Sequence, residues 1–215
     1  MTPNAAALRT ELDHIVITAP TLAAGVEYVR SIFGVAPQPG GEHARMGTHN
    51  CLLKLGDAVY LEVIAINPHA AAPSRRRWFR MDDPDALRTP RLATWVARTN
   101  DIRAAPAALG DVMPMSRGDL HWRITVPADG GLPFDGVAPT LIQWETAAHP
   151  ARTLADLGCT LVRLEGFHPA AEAISAMLRE LGFHGDFSIS VPPTGIDPHL
   201  IAHISTPAGI RRIRG

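Results

Sequence analysis

Three stretches of this chain share one order of parts: a β-rich run, an amphipathic run stopped by glycine, then paired strand-like runs. The first begins with LDHIVIT (12–18) and continues as TLAAGVEYVRSIFGV, with Leu22, Val26, Val29 and Phe33 on one helical face. Gly34 stands just past it, where a left-handed residue ends helices. HNCLLKLG and VYLEVIAI follow as strands. The second stretch has RLATWVART (91–99), then DIRAAPAALG as a helix capped by Asp101 and stopped by Gly110, then LHWRITVP and PTLIQWET. Pro106 sits inside that helix and should kink it. The third has TLVRLEGF, a helix through PAAEAISAMLRELGF stopped by Gly182, then DFSISV, HLIAHIST and GIRRI. The echo predicts repeated βαβββ units. Three unrelated αβ segments in an α+β domain are the other reading it allows.

A sheet covered by helices on one face leaves the other free to curve around a ligand. Alternation then sorts the side chains. In VYLEVIAI, Leu61, Val63 and Ala65 should meet the helix, while Tyr60, Glu62 and Ile64 point the other way. In LDHIVIT, Asp13, Ile15 and Ile17 form one set and Leu12, His14 and Val16 the other. A carboxylate in mid-strand is costly to bury without a partner. If His14 and Glu62 share the concave face, an imidazole, a metal or both satisfy the charge.

The 215 residues suffice for one large domain or two small ones, and 46% hydrophobic with 19% charged residues fits an ordered globular protein. A formal net charge of -1 gives no global basic field, so nucleic acid is not an expected partner. The run Arg75-Arg76-Arg77-Trp78-Phe79-Arg80 reads as a solvated connector. Cys51 and Cys159 form no CxxC and read as free thiols in a reducing compartment. The N-terminus shows no basic region followed by an apolar one, and no apolar run approaches the roughly 18 residues of a membrane span. The expected place is the cytoplasm, with no membrane partner. No GxGxxG or P-loop is present, so no nucleotide cofactor is expected. His199 and His203 have i,i+4 spacing but lack the Glu of HExxH.

Asp13-His14, GGEH (40–43), GTHN (47–50), GDAVYLE (56–62), Trp95 in ATWVARTND and LIQWETAAHP (141–150) together resemble the glyoxalase-like domain proteins of the vicinal oxygen chelate superfamily. The resemblance weakens after about residue 165. It implies an α+β fold of paired βαβββ modules forming an open curved sheet or barrel, as in glyoxalase and bleomycin-resistance proteins. Applied here, it puts the first module at 1–68, a connector at 69–90, a second module at 91–150 and a C-terminal unit completing the sheet at 151–215. It also implies a divalent metal (Fe, Mn, Zn or Ni) on the concave face, with ligands from the first and fourth strands of each module.

On that pattern His14 and Glu62 are the metal and catalytic pair. Gln143 is the third ligand, with Glu145 on its face and Trp144 toward the helix. Trp95 stands where a second histidine would, a departure from the pattern. His43, His49, His121, Glu145 and His203 are the other ligand candidates. His43, Thr48, Asn50, Tyr60, Trp95 and Gln143 are the expected substrate-binding residues. Three functions fit these residues. One is metal-assisted lyase, isomerase or dioxygenase chemistry on a small oxygenated or carbonyl compound. The second is metal-free small-molecule sequestration. The third is acid–base catalysis by His14 and Glu62 alone. The chain would act as a monomer closing its own cup or as a homodimer.

Overall fold

The computed structural model describes residues 7–215; the start of the N-terminal stretch read as leaderless, residues 1–6, lies outside them. The first module runs β1 (Thr10–Thr18), α1 (Leu22–Phe33), β2 (Gln38–His43), β3 (Thr48–Lys54) and β4 (Tyr60–Ile66). Thr21 caps α1 by accepting from Ala24 N–H, and Gly34, at φ 76°, ends it. Gly25 lets the helix approach β4 closely, since a Cβ there would stand 2.4 Å from Val63 Cγ1. Helix α1 therefore presses on the Leu61/Val63 face, which leaves Glu62 on the opposite one.

The second module contributes β5 (Arg91–Thr99), β6 (Asp111–Arg117), β7 (Leu120–Val126) and β8 (Thr140–Trp144). Strands β1 and β5 pair antiparallel at the centre, giving the order β2-β3-β4-β1-β5-β8-β7-β6. The sheet curls until its edges meet: Arg45 of the β2–β3 turn donates to Pro114 O of β6 (2.9 Å), and Arg117 lies over Gly41. The architecture is mostly β, a curled, open half-barrel.

The helix expected over 101–110 does not form. Two short 3-10 turns, Ile102–Ala104 and Ala107–Leu109, flank Pro106, whose ring and missing N–H deny a continuous helix. The back of β5 and β8 is covered instead by the C-terminal unit. After α2 (Pro150–Thr153), this unit runs β9 (Thr160–Phe167), α3 (Ala171–Glu180), β10 (Phe183–His184), β11 (Phe187–Ser190), β12 (His199–Thr206) and β13 (Gly209–Arg214). Its own sheet has the order β11-β9-β12-β13, whereas a first-module repeat would place every later strand on one side of β9. The third echo is thus a separate four-stranded sheet, joined to the first where β10 pairs with β1.

Two apolar bodies result. One lies between the convex face and its covers, with Ile15, Phe33, Leu61, Trp95, Ile174 and Leu200 among its members. The other fills much of the cup: Val16, Met46, Ile64, Val96, Met113, Met115, Ile124 and Ile142. The connector closes that second body and is not the solvated link expected. Trp78, Phe79 and Met81 are buried in the cup. Its arginines are held by partners, Arg77 by Asp82 (2.5 Å), Arg80 by Asp83 (2.5 Å) and Arg75 by Pro127 O (2.9 Å). Phe79 and Arg80 take left-handed φ of 57° and 56°, a strained pair fixed in part by the 2.8 Å bond from Arg80 N–H to Gly130 O.

Candidate functional site

Glu62 is 6% exposed, on β4 in the cup wall. Asn50 on β3 donates to its Oε1 at 2.5 Å. The amide is oriented from behind, because Asn50 Oδ1 accepts from Gly41 N–H (2.9 Å) and Arg117 (3.0 Å). Gly40 makes room for it: a Cβ there would lie 2.1 Å from Asn50 Oδ1. His43 ends β2 with Nδ1 on Thr48 Oγ1 (3.0 Å) and Nε2 facing Glu62 Oε1 (4.0 Å) and Asn50 Nδ2 (3.5 Å). Burial, opposed only in part by the Glu62 charge, lowers His43 to about 4, so its imidazole is neutral near pH 7.

His14 holds the other side. Strand β1 bulges against β5 between Leu12 and His14, and the bulge brings Asp13 in beside its neighbour. His14 Nδ1 donates to Asp13 Oδ1 (2.7 Å), which leaves Nε2 facing Glu62 Oε2 at 3.7 Å. Asp13 Oδ2 accepts from Trp144 Nε1 (2.9 Å) and from His149 Nε2 (3.0 Å). Complete burial alone would raise the Asp13 carboxyl, but the bonds from His14 and His149 outweigh it and hold it well below the usual range. His149 Nδ1 accepts from Ala151 N–H at the start of α2, which fixes its tautomer as an Nε2 donor. Tyr60 stacks on His14 (centroids 4.4 Å apart), and burial together with the Asp13 and Glu62 charges keeps it a neutral phenol.

These groups face a cavity of about 20 Å³, also lined by Trp78, Phe79, Arg117, Trp122, Ile124, Ile142 and Trp144. That volume holds about one water-sized group. The connector contributes Trp78 and Phe79 to that lining.

The structure brings His14, Glu62, His43, Thr48, Asn50 and Tyr60 together. It does not bring Gln143 or Trp95 to them. Gln143 faces away from the cup, accepting from Ile102 N–H (2.9 Å) and donating to Asn100 O (3.2 Å), so it props the first 3-10 turn. Trp144, expected toward the helix, is the β8 residue that lines the cavity. Trp95 lies on the convex face against Phe183 and Phe187, its indole N–H given to Val137 O at 2.9 Å. Its cup-facing neighbour is Val96. His49 alternates outward on β3, and His121 is exposed. Glu145 pairs with Arg123, and His203 with Glu165 in the C-terminal sheet.

A metal centre with ligands from both modules does not fit this arrangement. The second module presents Val96, Ile124, Ile142 and Trp144, which are not metal donors. Asn50's amide lies between His43 Nε2 and Glu62 Oε1. Within the first module, His14 Nε2 and His43 Nε2 both face the Glu62 carboxylate, at 3.7 and 4.0 Å, so these three are the residues that would hold a metal ion.

Sequence reasoning missed Asp13's direction, Arg117, His149 and the aromatic walls. Asp13 and His149 do stand inside stretches that carry the resemblance, but strict alternation sent Asp13 to the wrong face.

The sequence profile of one family, described as a glyoxalase-like domain, matches residues 12–182. A comparison with curated proteins gives no match. Among solved structures, a hypothetical protein from Staphylococcus aureus is 16% identical with a TM-score of 0.56, covering 95% of this chain and 84% of that one. A Mn(II)-bound glyoxalase from Novosphingobium aromaticivorans is 11% identical at TM-score 0.46, covering 95% and 81%. A methylmalonyl-CoA epimerase from Mycobacterium tuberculosis is 17% identical at TM-score 0.41, covering 64% and 88%. At these identities the Staphylococcus protein speaks to fold alone, and the other two carry no argument.

Proposed function

The chain belongs to the glyoxalase-like domain family of the vicinal oxygen chelate superfamily, and on that premise we propose that it is an enzyme moving a proton on a small carbonyl compound, with Glu62 and His14 as the working pair. One observation carries the reading. Glu62 Oε2 and His14 Nε2, both on side chains more than nine-tenths buried, face each other at 3.7 Å in the wall of one aromatic-lined cavity. Buried titratable groups converging on a cavity mark sites of acid–base chemistry.

Each neighbour has a task. Asn50 occupies Oε1, so Oε2 is the oxygen left to act. Glu62 Oε2 takes hydrogen, as a proton, from the carbon beside the carbonyl, and the bonding pair moves onto the carbonyl oxygen. The proton then returns, from Glu62 or through His14, to the same carbon from its other face, an epimerisation. In a 2-hydroxy carbonyl compound, His14 can instead carry the hydroxyl proton to the former carbonyl oxygen, so that the carbonyl re-forms at the hydroxyl carbon while the proton on Glu62 adds to the adjacent carbon, a 1,2-shift. Asp13 fixes the His14 ring and stabilises its charged form while it carries the proton. Trp78, Phe79 and Trp122 exclude water from the intermediate.

Held by His14, His43 and Glu62, the superfamily's divalent metal would supply Lewis-acid polarisation of the carbonyl; the proton transfer is assigned to this chain's own residues. The same aromatic walls also suit sequestration of a small planar molecule. The test is loss of optical rotation by single enantiomers of 2-hydroxy aldehydes, 2-hydroxy ketones and 2-substituted 3-oxo acids. Wild type should racemise or isomerise at least one. Glu62→Gln and His14→Gln should each slow it by roughly 100-fold or more. Tight binding of the panel without change in any member would replace this reading with sequestration.

A further inference from the structure

We infer that the cup holds its substrate by a carboxylate, gripped by the Arg117 guanidinium and the indole N–H of Trp78. Two independent observations converge. Trp78 lines the cavity at 4% exposure, and its Nε1 is buried without a hydrogen-bond partner. An orphaned buried donor is costly, so a donor kept in a cavity wall implies an acceptor supplied by the occupant. Of the cup's other two tryptophans, Trp144 gives its N–H to Asp13.

Arg117 is the second observation. It lines the same cavity, and its side-chain bond goes to the neutral amide of Asn50. Among the described residues, Arg98, Arg123 and Arg163 of the sheets are matched to Glu11, Glu145 and Glu165, while Arg91 and the β13 arginines, like Arg117, are not; Arg117 differs from those in lining the cavity. No ion pair to Arg117 forms among the described residues. A guanidinium presents several N–H groups in a fork that matches a carboxylate, and one of its nitrogens is engaged here. The substrate class is therefore a small 2-oxo or 2-hydroxy acid, or a 3-oxo acid. Its carboxylate lies toward Trp78 and Arg117, and its reactive carbon toward Glu62 and His14.

The inference rests on the cup being the substrate site and not on proton transfer occurring there. The experiment is a binding titration of intact protein, by calorimetry and by tryptophan fluorescence. The probes are a set of 2-oxo, 2-hydroxy and 3-oxo acids, each beside its methyl ester. Wild type should bind at least one acid roughly tenfold or more tightly than its ester. Trp78→Phe, which keeps an aromatic side chain and removes the donor, should weaken the acid more than the ester and so lower that preference. Arg117→Lys should weaken the acid while retaining part of the preference, and Arg117→Met should abolish it. Equal affinity for acid and ester, equal weakening of both in Trp78→Phe, or no acid bound at millimolar concentration would overturn the inference. Acid-selective binding with no racemisation would leave it standing and remove the proton-transfer reading.

Discussion

Asp13 is fully buried, accepts three hydrogen bonds and sits one residue from His14 at a bulge. Asp13→Asn replaces an acceptor with an amide that must point its NH₂ at one of those donors. The expected cost is about 3 kcal/mol of stability, read by urea denaturation, because a buried charged network loses its centre. Turnover should fall further than stability explains, since His14 then loses the partner that fixes its ring. Glu62→Gln should behave differently: the fold persists at near wild-type stability and the reaction stops. At this scale the sequence was legible wherever alternation held. His14, Asn50, Tyr60 and Glu62 share the cup because β1, β3 and β4 keep their register from His14 and Tyr60 onward. Gln143 and Trp95 were misplaced for one reason. Their strands were read one residue out of phase, and a one-residue slip exchanges the two faces.

At the scale of elements, the glycine pair before His43 and the connector over the cup matter most. A methyl group at Gly40 would meet Asn50 Oδ1 at 2.1 Å, so Gly40→Ala must push the amide off Glu62. The expected result is a loss of activity of roughly tenfold or more, with modest change in melting temperature and no change in Glu62 itself. The connector's charge pattern predicts a solvated link, and the structure departs from it because Trp78, Phe79 and Met81 lie among the arginines. Charge pattern reports which atoms face water. It does not report what the apolar residues between them cover. Asp82 anchors the connector through Arg77, accepting from both its backbone N–H (2.7 Å) and its guanidinium. Asp82→Asn should therefore raise protease cleavage within 75–85 and speed ligand entry, measured by stopped-flow fluorescence.

Across the whole molecule, the C-terminal sheet substitutes for a helix the second module cannot form. Its docking centres on Trp95, so Trp95→Ala should cost about 4 kcal/mol and expose the β5 amides to hydrogen exchange. The curved sheet was legible from two βαβββ echoes. The third echo shared the same punctuation, but strand order depends on pairing choices that local pattern does not encode, and the unit built its own sheet. Buried titratable groups also set the acid stability. His43 is held near 4 against an ordinary value near 6.5, so the unfolded chain binds the extra proton between those values. Stability from His43 is full above pH 6.5 and is lost as pH falls toward 4, by up to about 3 kcal/mol. Asp13, lowered in the fold, adds a further loss below about pH 4. Denaturation midpoints of wild type and His43→Gln across this range should diverge above pH 5 and converge below it.

The most direct measurement of the central claim is solvent deuterium incorporation, followed by proton NMR. Chelator-treated wild type and Glu62→Gln are incubated in D₂O with the carbonyl compounds that bind. The account predicts exchange at the carbon beside the carbonyl in wild type, unaffected by the chelator and absent in Glu62→Gln. Exchange that persists in Glu62→Gln would contradict it, as would exchange that disappears on chelation and returns with Mn(II) or Zn(II).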